Sequence, residues 1–152
     1  MKVRYSYLPQ QFKNIDNLWK ELKAFVKTGD FTLGKPLIKF ENNFAKLIGV
    51  KYAIGVNSGT DAIKLSLKAL NIKKGDEVIT AANTFVATVG AICELGAIPI
   101  FVDCDDTFCM NVNLIEEKIT KKTRAIVPVH FTGYMTDMVK LSKIAKKYRI
   151  PI

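Results

Sequence analysis

The chain has 152 residues, 49% of them hydrophobic, 10% aromatic and 24% charged, which suits an ordinary folded core and argues against a disordered segment. No apolar run approaches the roughly 18 residues of a membrane span, and "MKVRYSYLPQQF" lacks the apolar stretch of an export signal, so a cytoplasmic protein with no membrane partner is expected. The net charge of +9 comes mainly from lysines scattered along the chain; without a basic stripe or a recognised module, solvated helix faces are expected and nucleic acid is not.

Residues 1–50 read as a helical approach segment. "IDNLWKELKAFVKTGD" puts Ile15, Leu18, Trp19, Leu22, Phe25 and Val26 on one helical face, and Gly29 ends the run. In "FTLGKPLIKFENNFAKLIGV", Pro36 suits the first turn of a second helix, Leu37, Phe40, Phe44, Leu47 and Ile48 repeat at helical spacing, and Gly49 is a C-terminal stop.

From Lys51 onward the pattern changes. Strand candidates fall at 52–56 ("YAIGV"), 77–80 ("EVIT"), 98–103 ("IPIFVD") and 124–129 ("RAIVPV"), and a further one begins at the final "IPI". Helices are predicted between them at about 60–71, 84–95, 113–120 and 136–148. Asn113 and Glu116 have the spacing of a cap with its third-position carboxylate, and Thr136-Asp137 is a plausible cap for the last helix. This alternation predicts an α/β domain over 51–152 with a mostly parallel sheet and right-handed crossovers; the strand order stays open.

In such sheets ligands collect beyond the carboxyl ends of the strands. Three stretches fall there. "GVNSGTDA" enters a helix through Ser58 and Gly59, small residues that let a ligand approach the backbone, and free helix N-terminal N–H groups suit a phosphate. The alternative is a simple N-cap, with Ser58 or Thr60 capping and Asp61 complementing the dipole. "ITAANTFVATVGAI" places Asn83, Thr84 and Phe85 at a strand-to-helix junction, where Phe85 either lies on a bound planar ring or fills the core. "IVPVHFTGYM" holds His130, the single histidine, as a functional or a structural residue, with Tyr134 nearby. No second histidine or carboxylate stands at ligand spacing, so no metal site is expected. The three cysteines, Cys93, Cys104 and Cys109, match no disulfide framework and are expected to be reduced thiols.

Taken in order, "FTLGKPLIKFENNFAKLIGVKYAIGVNSGTDAIKLSLKAL", "KGDEVITAANTFVATVGAI", "GAIPIFVDCDD" and "AIVPVHFTGYMTDM" resemble the DegT/DnrJ/StrS-type sugar aminotransferases, over residues from about 28 to the end. The resemblance implies the three-layer αβα large domain of the PLP-dependent transferases, truncated here, and usually a homodimer with active sites at the subunit interface. It implies pyridoxal 5′-phosphate as cofactor and transfer of an amino group, commonly from glutamate, to a keto group of a nucleotide-linked sugar. Carried over, Gly59 and Thr60 match the loop holding the cofactor phosphate, and Phe85 the aromatic that stacks on its ring. Thr32, in "FTLG", matches a loop near substrate, and His130 lies in a segment bordering the site. The family's pattern continues past "IPI" with an acidic residue for the ring nitrogen, a Gln and, much later, the Schiff-base lysine. All three positions lie beyond Ile152, so the resemblance implies an N-terminal portion of a longer enzyme, inactive alone and holding no catalytic residue of its own.

Three alternatives remain at this level. One is a dehydratase of the same family with His in place of the lysine. Another is a non-catalytic binding module that keeps only the phosphate loop. A Rossmann-like nucleotide binder is the third; Asp76 and Glu77 lie at suitable distance from Gly59, but the Gly-x-Gly is missing.

Overall fold

The computed structural model describes residues 5–152; the first four residues of the predicted approach segment lie outside it. The described residues form two compact units, one ending at Gly55 and the other running Val56–Ile152.

The first unit is helical: a short α1 (Leu8–Gln11), then α2 (Asp16–Val26) and α3 (Lys35–Ile48). Pro36 sits in the first turn of α3, where a missing N–H costs nothing. Gly49 closes that helix in the left-handed region at φ 75°, and the Val50 N–H reaches back to the Ala45 carbonyl at 3.0 Å, the C-terminal arrangement that favours glycine. The apolar face predicted for α2 forms as a face but is not covered. Leu18, Trp19, Leu22 and Val26 stand exposed, as do Ile38, Phe40, Phe44, Leu47 and Ile48 of α3; Ala45 is the unit's one buried residue among those described.

The second unit contains α4 (Gly59–Ala69), β1 (Glu77–Ala81), α5 (Val86–Glu94) and β2 (Ile98–Val102). A 3₁₀ turn (Val112–Leu114) leads into α6 (Ile115–Lys118) and β3 (Thr123–Val127), and a second 3₁₀ turn (Phe131–Gly133) precedes α7 (Met138–Tyr148). The sheet order is β2-β1-β3, parallel throughout, with Ile79 of the central strand opposite Ile100 and Ile126.

Alternation along the strands divides the core into two. Val78 and Ala125 pack with Leu67, Ile72, Ile92 and Ala97, on the side of α4 and α5. Ile79, Ala81 and Ile126 pack with Met110, Ile115, Leu141 and Ile144, on the side of α6 and α7. The sheet is thus the middle of three layers, as expected. Thr80, fully buried, donates its hydroxyl to the Val127 carbonyl at 2.9 Å, so this polar group costs the core nothing unpaired.

Three expectations fail. The final "IPI" forms no strand, although the Pro151 carbonyl accepts the Ile126 N–H at 3.0 Å. Residues 52–56 are not a strand: Tyr52 and Ile54 are exposed and the Gly55 N–H donates to the Glu41 carboxylate at 2.7 Å instead of to a neighbouring strand. Strand-like composition gives no strand without a partner for its backbone. The cap predicted at Asn113 belongs to Asn111, whose side chain accepts from the Asn113 N–H at 3.1 Å; the turn begins as 3₁₀, two residues earlier than the spacing implied.

Candidate cofactor site

Because the strands are parallel, Ala81, Val102 and Val127 end at one edge of the sheet. Phe85 follows β1 there and His130 follows β3. The turns after α4 and α5 are joined by the Gly75 N–H to the Gly96 carbonyl at 2.9 Å, beside the start of β1. Both helices therefore end at the amino edge and begin at the carboxyl edge. Gly59, Thr60, Phe85 and His130 share that edge.

The cup at the head of α4 is built by a reciprocal bond. Ser58 is extended, at φ −156° and ψ 167°, and its Oγ accepts the Asp61 N–H at 3.1 Å. The same hydroxyl donates to Asp61 Oδ2 at 3.2 Å. Of the two capping residues weighed from sequence, Ser58 is the cap, and its hydroxyl is fully used. What remains open is the backbone N–H of Gly59 and of Thr60, which have no carbonyl within the helix to meet and donate to no other described group. The Thr60 hydroxyl is likewise without a partner among the described residues. Beyond its chain neighbours and the helix's own backbone, a Cβ placed on Gly59 would meet no atom within 4 Å, so the side-chain position at the head of α4 is open. Unpaired donors at the positive end of a helix, with room above them, suit an anion such as phosphate.

The Asp61 carboxylate is held below the usual range, chiefly by the Lys64 ammonium at 3.2 Å and then by the Asn57 side chain. Lys64 reaches Glu94 of α5 at 2.9 Å as well, and Glu94 above all, then Asp61, raises the lysine. In the sequence this lysine is one of many scattered cations, and its place one turn after Asp61 is the signal that sets it apart.

Phe85 is the N-cap of α5 and is 75% exposed, with no ring contact to another described aromatic. The core role weighed from sequence is excluded. Thr84 is spent on its neighbours, its hydroxyl donating to Thr88 Oγ1 at 2.9 Å. His130 opens the second 3₁₀ turn; its Nδ1 accepts the Thr136 N–H at 3.3 Å, while the buried Thr136 hydroxyl donates to the Val129 carbonyl at 3.2 Å. Accepting at Nδ1 puts the imidazole proton on Nε2, which faces no described partner. Thr32 stands exposed in a bend of the first unit.

Further bonds not anticipated from sequence tie the strand-exit loops together. Asn83 Nδ2 donates to the Phe108 carbonyl at 3.4 Å, and the buried Cys109 thiol to the Tyr134 carbonyl at 3.2 Å. Exits of all three strands are thereby linked, β1 to β2 and β2 to β3.

Residues 13–152 match the profile of the DegT/DnrJ/EryC1/StrS aminotransferase family. The chain belongs to this family. It is 36% identical over 144 residues to the dTDP-3-amino-3,4,6-trideoxy-alpha-D-glucose transaminase of Micromonospora megalomicea subsp. nigra, covering 94% of the chain and 38% of that protein. With the 3-oxo-glucose-6-phosphate:glutamate aminotransferase of Bacillus subtilis it shares 40% identity over 139 residues, 91% of the chain and 32% of the relative. Among solved structures, ntda from Bacillus subtilis with bound cofactor PMP superposes with a TM-score of 0.91 at 36% identity, covering 99% of the chain and 36% of that structure. The family fold is therefore present, and the chain spans between about a third and two fifths of the length of these relatives.

Proposed function

We propose that this chain forms the phosphate-binding part of a pyridoxal 5′-phosphate-dependent aminotransferase acting on a nucleotide-linked keto sugar, with glutamate as the amino donor. The observation that carries the reading is the pair of unpartnered N–H groups at Gly59 and Thr60, under open space at the head of α4, in a chain of this family. Two named relatives support different parts of the reading: a transaminase of a dTDP-linked sugar supports the substrate class, and a glutamate-dependent aminotransferase of a sugar phosphate supports the amino donor.

The residues fit the cofactor. Gly59 and Thr60 donate their N–H groups, and Thr60 its hydroxyl, to the phosphate; the helix dipole adds to the attraction. Phe85, free of the core, offers a ring face to the pyridine ring. When bound, the cofactor supplies an electron sink for charge developing at the carbon that carries the amino group. The chain's own residues bind and orient; His130 borders the site with its Nε2 proton as a hydrogen-bond donor, and Thr32 is the first unit's candidate substrate contact. No residue of this chain is assigned as the Schiff-base lysine or as the acid for the ring nitrogen.

The exposed apolar faces of α2 and α3 support burial against further protein, and we assign that partner as a second copy, in a cytoplasmic homodimer. The test is transamination by the full-length protein that carries this sequence. With pyridoxal 5′-phosphate bound, L-glutamate shifts its visible absorbance and a keto sugar nucleotide gains an amino group; a cofactor spectrum that ignores L-glutamate contradicts the reading.

A further inference from the structure

The turn that would hold a phosphate also carries a carboxylate. Asp61 is the third residue of α4, and one anion in a first turn disfavours a second. Its charge is met by Lys64, which approaches Asp61 Oδ1 at 3.2 Å while bonding Glu94 Oε2 on α5 at 2.9 Å. The remaining oxygen of Asp61 takes the Ser58 hydroxyl at 3.2 Å. One connected network thus runs from the capping hydroxyl through Asp61 and Lys64 to the last residue of α5, the helix that begins next to Phe85. It uses the Ser58 hydroxyl, the Asp61 N–H and the Asp61 carboxylate, and leaves the donors of Gly59 and Thr60 open.

We propose that Lys64 is a positioning residue for the cup: by compensating Asp61 it lets that carboxylate lock Ser58 without repelling the phosphate above Gly59 and Thr60. The inference rests on the reading of those two residues as a phosphate site. Ordinary ion pairs at this exposure contribute little to stability, so the role of Lys64 shows in anion affinity. Losing one compensating charge beside a helix N-terminus weakens anion binding by about two- to fivefold.

The experiment uses this chain with pyridoxine 5′-phosphate and, as the control without an anion, pyridoxine; ligand line broadening in NMR reports both affinities, weak ones included. Lys64→Met lowers affinity for the phosphate ester by about two- to fivefold and leaves that for pyridoxine as it was. Lys64→Arg and the double variant Asp61→Asn/Lys64→Met recover it, the first by restoring the charge and the second by removing the need for it. Glu94→Gln breaks the link to α5 but keeps the compensation, so its phosphate affinity stays at the wild-type level or above, and it serves as the second measurement should Lys64→Met fold poorly. Equal phosphate affinity in wild type and Lys64→Met overturns the inference, as does a parallel loss for pyridoxine, or a Glu94→Gln loss, which would make Lys64 a mere brace. Failure of the wild-type chain to bind the ester at all overturns the cup itself, and so is told apart from failure of the lysine's role.

Discussion

Ser58 and Asp61 bond each other twice, the Asp61 N–H to Ser58 Oγ at 3.1 Å and the Ser58 hydroxyl to Asp61 Oδ2 at 3.2 Å. This closes the head of α4 and separates two jobs that the sequence leaves superimposed. Ser58 holds the helix; Gly59 and Thr60 face outward with their donors unspent. Ser58→Ala is expected to destabilise the second unit by about 1 kcal/mol, the usual cost of a lost cap. Thr60→Ala, by contrast, keeps stability within about 0.5 kcal/mol and lowers phosphate affinity. Denaturant melts beside ligand titrations separate the two.

Gly59 offers a sharper separation. Its Cβ position is open and its φ lies outside the left-handed region, so Gly59→Ala is expected to leave stability unchanged or to raise it by about 0.4–1 kcal/mol. The added methyl crowds the approach to the neighbouring N–H pair, so binding is expected to fall even as the protein melts higher. A melt that drops together with binding would assign the glycine a structural role instead.

The pH dependence of the cup follows from its two shifted groups. Asp61 is lowered from 3.8 in the fold, so its contribution is complete above that value and disappears as pH falls through the lower folded one. Lys64 is raised from 10.5, so its contribution is complete below that value and lost as pH climbs through the higher folded one. The melting-temperature difference between wild type and Lys64→Met is therefore expected to be level between pH 3.8 and 10.5 and to shrink outside those limits. A difference that slopes steadily across neutral pH would contradict the pairing.

At the other end of the unit, Glu116 is lowered from 4.5, first by Lys147 at 2.7 Å and then by the Tyr148 hydroxyl. Glu116→Gln is expected to flatten the acid limb of the stability profile, since the stabilisation that wild type loses as pH falls below 4.5 is already absent. Acid titrations followed by circular dichroism check this.

Exposed apolar side chains give a prediction for assembly. Leu18 and Leu22 lie on the uncovered face of α2; with that face as the interface of the proposed homodimer, light scattering is expected to give a dimer for the wild type and a monomer for the double variant Leu18→Lys/Leu22→Lys. An unchanged dimer would move the interface elsewhere.

What could be read from the sequence, and what could not, divides along physical lines. The strands at 77–81, 98–102 and 123–127 were legible because each is an apolar run bounded by turn residues; burial on both faces demands that composition of the central β1, while the edge strand β2 keeps it with Ile98 and Phe101 exposed. Residues 52–56 carry the same composition without a partner strand, and a single segment cannot report whether its backbone will be paired. Of the site, Gly59 and Thr60 were visible as a glycine and a hydroxyl entering a helix. Which hydroxyl would be consumed by capping was not, because Ser58 and Thr60 are equivalent until the backbone of each is fixed. The Nδ1 partner of His130 lies six residues on, and the Lys64–Glu94 bond spans 30 residues, so both depend on how the chain returns on itself.

The central claim is that Gly59 and Thr60 receive the cofactor's phosphate, and amide chemical shifts of this chain on addition of pyridoxine 5′-phosphate test it most directly. The account predicts that the Gly59 and Thr60 N–H signals move most, and that pyridoxine without the phosphate leaves them in place. Shifts centred elsewhere, or equal responses to the two ligands, would contradict it.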